Sequence, residues 1–323
     1  MKCGVLVKVD QPTDWESNLV IVVKKDGTLR MCQDPKDLNK AVKWEHYRIP
    51  TLQEIASEFS GKKIFSTLDL KDGYWQIQLD EESSLLCTFN SPFGRYRFTR
   101  MPLGIKSASE IFQKQNEAAF ADIPGLYIVA DDLIIAAENS EEHDKILHQV
   151  LQRAEDRNIK LNFDKLPLCT TEVKYLGAVV THDGLRPDPA KVEAIMGMPI
   201  PTDKAGVRHL LGMINFLAAH IPDMSTITAT VRNLLKSDVI FQWGPEQAKA
   251  LERIKEILST APVLSYFDPG ARSIIQADTS QYGLGACLLQ RGKPVAYASR
   301  SLLPAECNYA QIEKELLAIV FTC

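Results

Sequence analysis

The sequence predicts an α+β protein in which an antiparallel sheet is backed by helices. Two observations lead to this prediction. Between residues 63 and 185, β-rich runs and two long amphipathic helical patterns follow one another as strand, helix, strand, strand, helix and strand. After residue 186 the pattern becomes mainly helical, and from residue 271 it changes to short strands and a final helix. With 323 residues, the chain is long enough for two or three domains.

The first predicted elements are a hairpin, a short helix and two strands. Apolar runs on either side of KKDG predict a β-hairpin over residues 18–34. The pattern of TLQEIASEF predicts a short helix over 51–59. KIFSTLDL, at 63–70, is typical of a buried strand, and the alternation in GYWQIQLD, at 73–80, predicts another strand.

Two longer helices and one more strand complete this part. SASEIFQKQNEAAFADI predicts a helix whose cap is Ser107 or Ser109. In NSEEHDKILHQVLQRAEDRNI, Ser140 can cap a second helix, acidic residues fill its first turn, and Asn158 lies past its end. EVKYLGAVVTHDGL, at 172–185, predicts a strand followed by a turn.

The rest of the chain, from residue 186, predicts helices first and strands afterwards. Helical patterns occupy RPDPAKVEAI, VRHLLGMINFLAAHI and FQWGPEQAKALERIKEIL. Short strands are predicted at IIQADTS, GLGACLLQ and PVAYASRSL, and NYAQIEKELLAIVFTC predicts the last helix. That helix has no end signal, which predicts a truncated domain.

Two adjacent carboxylates, Asp131 and Asp132, interrupt the apolar run YIVADDLIIAA. They could be the exposed turn between two strands, because Asp is a common turn residue. A metal site is the alternative, since an ionised carboxylate near a core needs a partner or an ion. Asp69 ends the strand KIFSTLDL, and it would meet Asp131 if that strand neighbours the hairpin. Such hard oxygen ligands can hold two magnesium ions for an in-line phosphoryl displacement.

Several kinds of protein are disfavoured by the composition. No apolar run approaches the length of a membrane span, and the first ten residues lack a signal-peptide pattern. The seven cysteines are scattered without a C-x-x-C, which favours reduced thiols over disulfides or a zinc site. His143 and His148 have no cysteine beside them in the sequence, so a metal role is not expected for them.

The charge pattern leaves nucleic-acid binding open. A net charge of −4 counts against it. Residues 91–115, however, contain five basic residues and one acid, interleaved with aromatic residues. This stretch could contact a nucleic-acid backbone and stack on bases, or it could be an amphipathic strand with a solvated face.

Six motifs, in this order and spacing, make the chain resemble a known family. They are LRMCQDPKDLNK, LDLKDGYWQIQL, RYRFTRMPLGIKSASEIFQ, VADDLII, KYLGAVV and QADTSQYGLGACLLQ. The chain resembles the reverse transcriptase and ribonuclease H region of the Pol polyprotein of Gypsy-type LTR retrotransposons. The resemblance implies a right-hand polymerase with fingers and palm over 1–182, thumb and connection over 183–270, and a partial ribonuclease H-like α/β domain over 271–323.

The resemblance also implies an RNA-directed DNA polymerase with a two-ion active site. Asp69 and Asp131 would bind both Mg²⁺ ions, and Asp132 would complete the acidic triad. The backbone carbonyl of Leu70 would be an extra ligand, and Mn²⁺ would be a substitute ion. Lys165 would be the general acid for the pyrophosphate leaving group, and its alternative is an ordinary surface lysine.

Further residues are implied to bind the nucleotide and the primer. The nucleotide-binding set would be Lys24, Lys25, Arg30, Asp72, Gly73, Tyr74 and Leu103. Tyr74 would lie under the sugar and reject a ribose 2′-hydroxyl, although a core aromatic is the structural alternative. Leu176 and Gly177 match the turn that grips the primer.

The chain departs from the family pattern at several places. Val129 replaces a common aromatic residue before the Asp pair, which is expected to change how the primer terminus packs. Ala218 and Ala219 stand where many relatives carry a basic residue, so a weaker grip on the duplex is expected. DKLPLC lacks the usual Lys-Cys pair, which weakens the assignment of Lys165.

A second, partial site is implied at the C-terminal end. Asp278 and Glu315 match the first two acids of a ribonuclease H site, with Glu313 as the rival of Glu315. The family needs two further acids downstream, and the chain ends before them. Little or no ribonuclease H activity is therefore expected.

The implied partners are an RNA or DNA template-primer and deoxynucleoside triphosphates, without a membrane. The implied location is the cytoplasm, in virus-like particles, with access to the nucleus, and the oligomeric state stays open. One rival is an inactive transposon relic that at most binds nucleic acid. An RNA-dependent RNA polymerase is another, and Tyr74 and the ribonuclease H-like tail oppose it.

Overall fold

A computed structural model describes residues 4–24, 27–163 and 166–323, and the chain packs as two compact units. The first unit contains residues up to 55 together with 62–170, and the second contains 56–61 together with 171–323. Packing alone does not define fingers, palm, thumb or connection. The predicted boundaries after residues 182 and 270 therefore stay a prediction.

The first unit contains three antiparallel sheets. Its strands are β1 (Leu6–Lys8), β2 (Asn18–Val23), β3 (Leu29–Asp34), β4 (Ile64–Leu70), β5 (Thr88–Ser91), β6 (Gly94–Phe98), β7 (Leu126–Val129), β8 (Asp132–Ala137) and β9 (Leu161–Asn162). Strands β1, β6 and β5 form one sheet, and β2 and β3 form the hairpin that the KKDG pattern predicts. The central sheet has the order β7-β8-β4-β9.

Five α-helices begin among the described residues of the first unit. They are α1 (Leu38–Ala41), α2 (Leu52–Ala56), α3 (Glu81–Leu86), α4 (Ala108–Phe120) and α5 (Ser140–Asp156). One face of the central sheet packs against α4 and α5 in a shared core that contains Leu68, Ile135, Phe112 and Val150. The predicted antiparallel sheet backed by two helices is therefore confirmed.

The strand predicted over GYWQIQLD is wrong, because Gly73–Gln76 form a 3₁₀ turn. Asp72 and Gly73 both have positive φ angles, of 63° and 46°, which turn the chain away from an extended path. The Gln76 side chain holds this turn by donating to the carbonyl oxygens of Lys71 and Lys160, at 2.6 and 3.0 Å. Apolar alternation alone could not reveal a turn that depends on these contacts.

The predicted caps of the two long helices are also corrected. Ser107 occupies the N-cap position of α4, but its side chain makes no capping bond. The hydroxyl of Ser109 contacts that of Tyr74 instead, at 2.7 Å. Asn139, rather than Ser140, caps α5 by accepting from the backbone N–H of Glu142 at 3.0 Å.

The prediction that segment 172–185 adds a strand to the central sheet is wrong. This segment belongs to a separate sheet of the second unit, and the short β9 takes the place beside β4. The reason is a tight turn at Leu176 and Gly177, whose φ angles are 47° and 81°. Two consecutive positive φ angles match a two-residue hairpin turn, which reverses the chain at once.

The second unit combines two antiparallel sheets with a helical cluster. Its strands are β10 (Glu172–Tyr175), β11 (Ala178–Thr181), β12 (Gly184–Pro187), β13 (Ser273–Thr279), β14 (Gly283–Gln290) and β15 (Lys293–Ser301). Its helices are α6 (Pro189–Met196), α7 (Lys204–Phe216), α8 (Met224–Ile227), α9 (Ala229–Asn233), α10 (Pro245–Ser259) and α11 (Gln311–Thr322). The sheets follow the orders β10-β11-β12 and β13-β14-β15.

The helical patterns predicted for this part are confirmed. Val207, Leu210 and Ile214, on one face of α7, are buried against Ile254 and Leu258 of α10. This spacing is that of an amphipathic helix. Within the described part of the chain, no helix is both long enough and apolar enough to span a membrane. The six described cysteines are free thiols in the structure.

Candidate functional site

The structure brings the three predicted aspartates to one end of the central sheet. Asp69 and Asp132 are direct partners across β4 and β8, and Asp131 lies in the turn before β8. The backbone N–H of Leu70 donates to the carbonyl oxygen of Asp131 at 3.0 Å, which closes the sheet at this point. The side-chain amide of Asn162 donates to Asp69 at 3.2 Å and holds that carboxylate in place.

The turn that presents Asp131 is held by helix α4. Ala130, in this turn, has a φ of 55°, which is unfavourable for a residue with a side chain. Its backbone N–H donates to the Gln113 side chain at 2.6 Å, and its carbonyl oxygen accepts from Asn116 at 3.0 Å. Gln113, which is fully buried, also donates to the carbonyl oxygen of Ile128 at 2.9 Å.

Gln113 and Asn116 were missed by the sequence reasoning. Both are buried polar residues, three positions apart on the face of α4 that carries Phe112. Two amides at this spacing on an otherwise apolar face are the signal that could have found them, because buried amides need partners.

Negative charge accumulates at this end of the sheet. Burial raises the pKa of Asp132 to about 6, and the nearby carboxylates of Asp131 and Asp69 add to this effect. Asp131 is exposed, whereas Asp69 and Asp132 are partly buried. Carboxylate oxygens gathered at one place fit a divalent cation such as magnesium.

The three aspartates are nevertheless not drawn tightly together. Among the described residues, three ligand atoms of His, Cys, Asp or Glu lie within 4.8 Å of one another at His143, Asp144 and Cys169. Asp69, Asp131 and Asp132, which the structure also describes, do not form such a group.

Tyr74 lies beside this site on the 3₁₀ turn. Its ring packs edge-to-face on Phe112, with centroids 5.1 Å apart, and its hydroxyl contacts Ser109. These contacts fit the structural alternative of a core aromatic, and they also hold the ring rigidly. The neighbouring Gly73 borders open space, since no atom lies within 4 Å of a Cβ added there.

The other predicted nucleotide-binding residues lie on or beside the β2–β3 hairpin. Arg30 is paired with Val22 and is exposed, and Lys24 is exposed directly after β2. Lys25 lies outside the described residues, as does the predicted general acid Lys165.

Leu103, in the third of the six motifs, contacts β3, which lies in the first motif. Its carbonyl oxygen accepts from the backbone N–H of Gln33 at 2.8 Å. Gly104, which follows, has a φ of 116°, and a Cβ there would overlap the backbone of Gln33. This close approach requires glycine.

The basic-aromatic stretch makes contacts within the protein. Arg97 pairs with Glu81 at 2.8 Å, and Lys106 lies over the Trp44 ring, 5.3 Å from its centroid. Further partners are found in three cases, namely Arg95 with Gln11, Arg100 with Gln76, and Lys114 with Glu45. Each of the five basic side chains of this stretch therefore has a partner within the protein.

The turn predicted to grip the primer lies in the second unit. Leu176 and Gly177 connect β10 to β11. The Phe216 ring covers Gly177 so closely that a Cβ there would overlap it. The ammonium of Lys191 lies over the Phe216 ring, 4.7 Å from its centroid.

The predicted ribonuclease H residues also lie in the second unit. Asp278, on β13, is exposed and pairs with Gly285 of β14. Glu315 accepts from the Gln311 side chain at 2.9 Å. Its rival Glu313 accepts from the backbone N–H at the start of α11, at 2.7 Å, so it is used as a helix cap.

A further carboxylate, Asp223, lies near Asp278 and was not singled out from the sequence. Burial and the charge of Asp278 both raise the pKa of Asp223. Asp223 also lies over Gly285, where a Cβ would overlap its carboxylate. No motif marks Asp223, since it lies 55 positions before Asp278 in a helical region.

Comparisons with known sequences agree with this geometry. Residues 22–180 match the family described as reverse transcriptase (RNA-dependent DNA polymerase). Residues 243–323 match an RNase H-like domain found in reverse transcriptase. The Tf2-3 and Tf2-7 transposon polyproteins of Schizosaccharomyces pombe are 33% and 32% identical over 309 residues, 94% of this chain. The chain spans 23% of the length of these relatives.

Solved structures with a similar fold come from foamy virus. A protease-reverse transcriptase in complex with an RNA/DNA hybrid has a TM-score of 0.89 and 25% identity, over 98% of this chain and 43% of that one. The same protein in complex with double-stranded DNA has a TM-score of 0.88 and 25% identity, over 99% of this chain and 68% of that one.

These matches confirm the predicted fold class, a right-hand polymerase with an antiparallel palm sheet backed by helices and followed by a ribonuclease H-like domain. They also confirm the resemblance to the Pol region of Gypsy-type LTR retrotransposons. Reverse transcriptases as a family use divalent metal ions. The chain therefore belongs, over residues 22–180, to the reverse transcriptase family, and it continues into a reverse-transcriptase-type ribonuclease H-like domain.

Proposed function

We propose that this chain is an RNA-directed DNA polymerase of a retrotransposon, which adds deoxynucleotides to a primer 3′-hydroxyl by two-metal nucleotidyl transfer. One observation carries the proposal. Asp69 lies directly opposite Asp132 at the end of the central sheet, and Asp131 stands in the adjoining turn. Family membership supports the same activity.

The aspartates are proposed to hold two Mg²⁺ ions, with Mn²⁺ as a substitute. Asp69 and Asp131 would bind both ions, Asp132 would complete the set, and the carbonyl oxygen of Leu70 would be a further ligand. When bound, such ions lower the pKa of a primer hydroxyl and neutralise phosphate charge. The raised pKa of Asp132 supports this role, because burial and the neighbouring carboxylates disfavour its charged form and a divalent cation would stabilise it.

The triphosphate is proposed to bind between the β2–β3 hairpin and the 3₁₀ turn. Lys24 and Arg30 would contact its β- and γ-phosphates, Arg30 through a planar two-donor fork. The open space at Gly73 supports close approach of a phosphate to the backbone N–H groups there. Lys25 and Leu103 belong to the same proposed set.

Tyr74 is proposed to select the sugar. The backbone N–H groups around Asp72 are proposed to contact the phosphates. The contacts of Tyr74 with Phe112 and Ser109 support a rigid ring that could reject a ribose 2′-hydroxyl. Lys165 stays the proposed general acid for pyrophosphate.

The proposed partners are an RNA or DNA template-primer and deoxynucleoside triphosphates. Similar foamy virus proteins are in complex with double-stranded DNA and with an RNA/DNA hybrid, which supports this choice. Leu176 and Gly177 would contact the primer. The predicted location in the cytoplasm, in virus-like particles and with nuclear access, stays a prediction.

Residues 271–323 are proposed to contribute no RNA cleavage in this chain. Asp278 and Glu315 are the matched acids, and Asp223 is a third carboxylate near Asp278. The matched acids are two of the four acidic positions that the resemblance implies, which supports a site too sparse to hold two ions.

The test is primer extension on an RNA template with Mg²⁺ and deoxynucleotides. Wild type would be compared with Asp131→Asn and with Asp156→Asn, which makes the same chemical change at an exposed position on α5. We expect extension by wild type and Asp156→Asn, and none by Asp131→Asn. No extension by folded wild type would favour the inactive relic, and a preference for ribonucleotides would favour an RNA polymerase.

A further inference from the structure

A cluster of metal-ligand side chains lies in the first unit, away from the three aspartates. A ring nitrogen of His143, a carboxylate oxygen of Asp144 and the sulfur of Cys169 all lie within 4.8 Å of one another. Nδ1 of His143 and Oδ1 of Asp144 are 3.1 Å apart. Cys169 is 26 positions from His143 in the sequence, so only the fold unites them.

A buried hydroxyl organises this cluster. The Oγ of Ser66, on β4, contacts His143 Nε2 at 2.6 Å and accepts from the backbone N–H of Cys169 at 2.8 Å. Ser66 and His143 are both fully buried. A histidine that binds a metal through one ring nitrogen commonly donates from the other to a fixed acceptor, which orients the ring. Ser66 occupies that position.

The cysteine is held in place by the edge of the central sheet. Thr170, next to Cys169, exchanges two backbone hydrogen bonds with Phe65, at 2.8 and 2.9 Å. The backbone of Cys169 has a φ of 54°, a conformation that few residues with side chains adopt. The cysteine is therefore held at this place by its neighbours.

The cluster is open to solvent on one side. His143 is fully buried, whereas the Asp144 side chain is 73% exposed and Cys169 is exposed. An ion can therefore reach the Asp144 and Cys169 donors from solvent, whereas the His143 nitrogen lies in the interior. Nitrogen, thiolate sulfur and one carboxylate oxygen form a donor set that suits zinc and similar borderline ions, and magnesium prefers oxygen alone.

We propose that His143, Asp144 and Cys169 bind one divalent ion of the zinc class. His143 Nδ1, an Asp144 oxygen and the Cys169 thiolate would be three ligands, and water would complete a tetrahedral set. The thiol proton would leave to solvent on binding. Ser66 and Asp69 are three positions apart on β4, so their side chains point to opposite faces of the sheet. The site is thus distinct from the proposed polymerase centre.

The cluster does not need the ion in order to fold. Without metal, the contacts of His143 with Ser66 and Asp144 satisfy both ring nitrogens. We therefore expect reversible binding that ties residues 166–170 to the start of α5. Such binding would raise the melting temperature of the first unit, because the ion would bind only the folded state.

The test is titration of the chelator-treated full chain with Co²⁺, followed by its electronic spectrum. Thiolate ligation gives a sulfur-to-cobalt charge-transfer band that the three aspartates cannot produce. We expect a one-to-one complex with this band, displaced by Zn²⁺. Cys169→Ser should abolish the band, and Cys307→Ser, at another exposed cysteine, should keep it. A band that survives Cys169→Ser, or no band with folded wild type, would overturn the proposal.

Two further variants test the geometry. Ser66→Ala should weaken Co²⁺ affinity roughly 10- to 100-fold, as expected for loss of the group that orients a ligand. Asp144→Asn should weaken it as well, and its exposed position leaves the fold intact. Circular dichroism in the presence of a chelator would verify folding of each variant. Unchanged affinity in both folded variants would contradict the proposed ligand set.

Discussion

The side-chain amide of Gln113 accepts the backbone N–H of Ala130 at 2.6 Å, in the turn that carries Asp131 and Asp132. Ala130 has a left-handed backbone conformation, which its neighbours must stabilise. Gln113 is fully buried in α4 and also binds the carbonyl oxygen of Ile128. One helix side chain therefore sets the shape of the turn from both sides.

Gln113→Leu should damage both stability and synthesis. It leaves the N–H of Ala130 and the carbonyl oxygen of Ile128 without this partner, at a cost of about 1–3 kcal/mol. The misplaced turn should lower primer extension roughly 10- to 100-fold. Gln115→Leu, at an exposed position on the same helix, is the matched control and should have little effect. Equal extension rates for the two variants would disprove the positioning role.

The left-handed turn makes a prediction for position 130. Ala130→Gly should change the free energy of unfolding by less than about 1 kcal/mol, since relief of strain offsets the entropy of glycine. Ala130→Val should cost about 2 kcal/mol, because a β-branched residue is poorly accommodated at positive φ. Urea unfolding of both variants would measure this. A valine variant as stable as wild type would mean that the turn adopts another conformation.

Asp132 should make the stability of the first unit depend on pH. Its folded-state pKa, about 6, lies above the ordinary value of 3.8. Between these values the folded state binds the proton more strongly than the unfolded state, so stability falls as pH rises through this window. Above pH 6 the free energy of unfolding stays lower by about 1 kcal/mol, after allowance for solvent screening.

Thermal unfolding from pH 4 to 8 would test this, with wild type beside Asp132→Asn. The variant lacks the titrating group, so its melting temperature should exceed that of wild type by about 2–4 °C above pH 6. The difference should vanish near pH 4. Mg²⁺ should reduce the difference in melting temperature at pH 7, because a cation neutralises the charge of Asp132. A difference that is independent of pH would refute the assignment.

Gly177→Ala should destabilise the second unit for two separable reasons. Its φ of 81° costs about 1 kcal/mol for alanine, and overlap with Phe216 costs about 1–3 kcal/mol more. Gly27→Ala is the matched control, because Gly27 has the same φ with no atom within 4 Å of an added Cβ. Gly27→Ala should therefore lose only the stability, about 1 kcal/mol, that the positive φ costs an alanine.

A double variant isolates the overlap. Phe216→Leu should recover part of the stability that Gly177→Ala loses, because the smaller side chain leaves room for the added methyl group. Thermal unfolding of the single and double variants gives the coupling. Strict additivity would show that Phe216 does not cover the turn in solution.

Tyr74→Ala should admit ribonucleotides, whereas Tyr74→Phe should not. The ring, which Phe keeps, is the proposed barrier to a 2′-hydroxyl. Loss of the hydroxyl contact with Ser109 should cost Tyr74→Phe about 0.5–1.5 kcal/mol of stability. Competition between deoxy- and ribonucleotides in primer extension would measure sugar choice. Unchanged selectivity in Tyr74→Ala would assign Tyr74 to the core alone.

Long periodic segments were predictable because their signals are local. The amphipathic faces of α5 and α7 and the hairpin over 18–34 appear where the patterns place them. GYWQIQLD was not predictable, because its alternation matches a strand while Asp72 and Gly73 turn the chain. The fold of the turn depends on Gln76, whose partner at residue 160 is distant in sequence.

The site was predictable only in part for the same reason. The spacing of Asp69 and Asp131, and the strands that carry them, pointed to convergence, and β4 and β8 do pair there. The supporting amides of Gln113 and Asn116 carry no motif, and their importance lies in partners 14 to 17 positions away.

By itself, the sequence determined the family, the long helices and the hairpin over 18–34, and the three candidate aspartates, because motif spacing and hydrophobic period are properties of the chain. The tertiary structure decided which strands pair, how the Asp turn is held, and that His143 meets Cys169. Those outcomes depend on contacts between residues far apart in sequence. Their energies exist only once packing has brought the partners together and excluded water from between them.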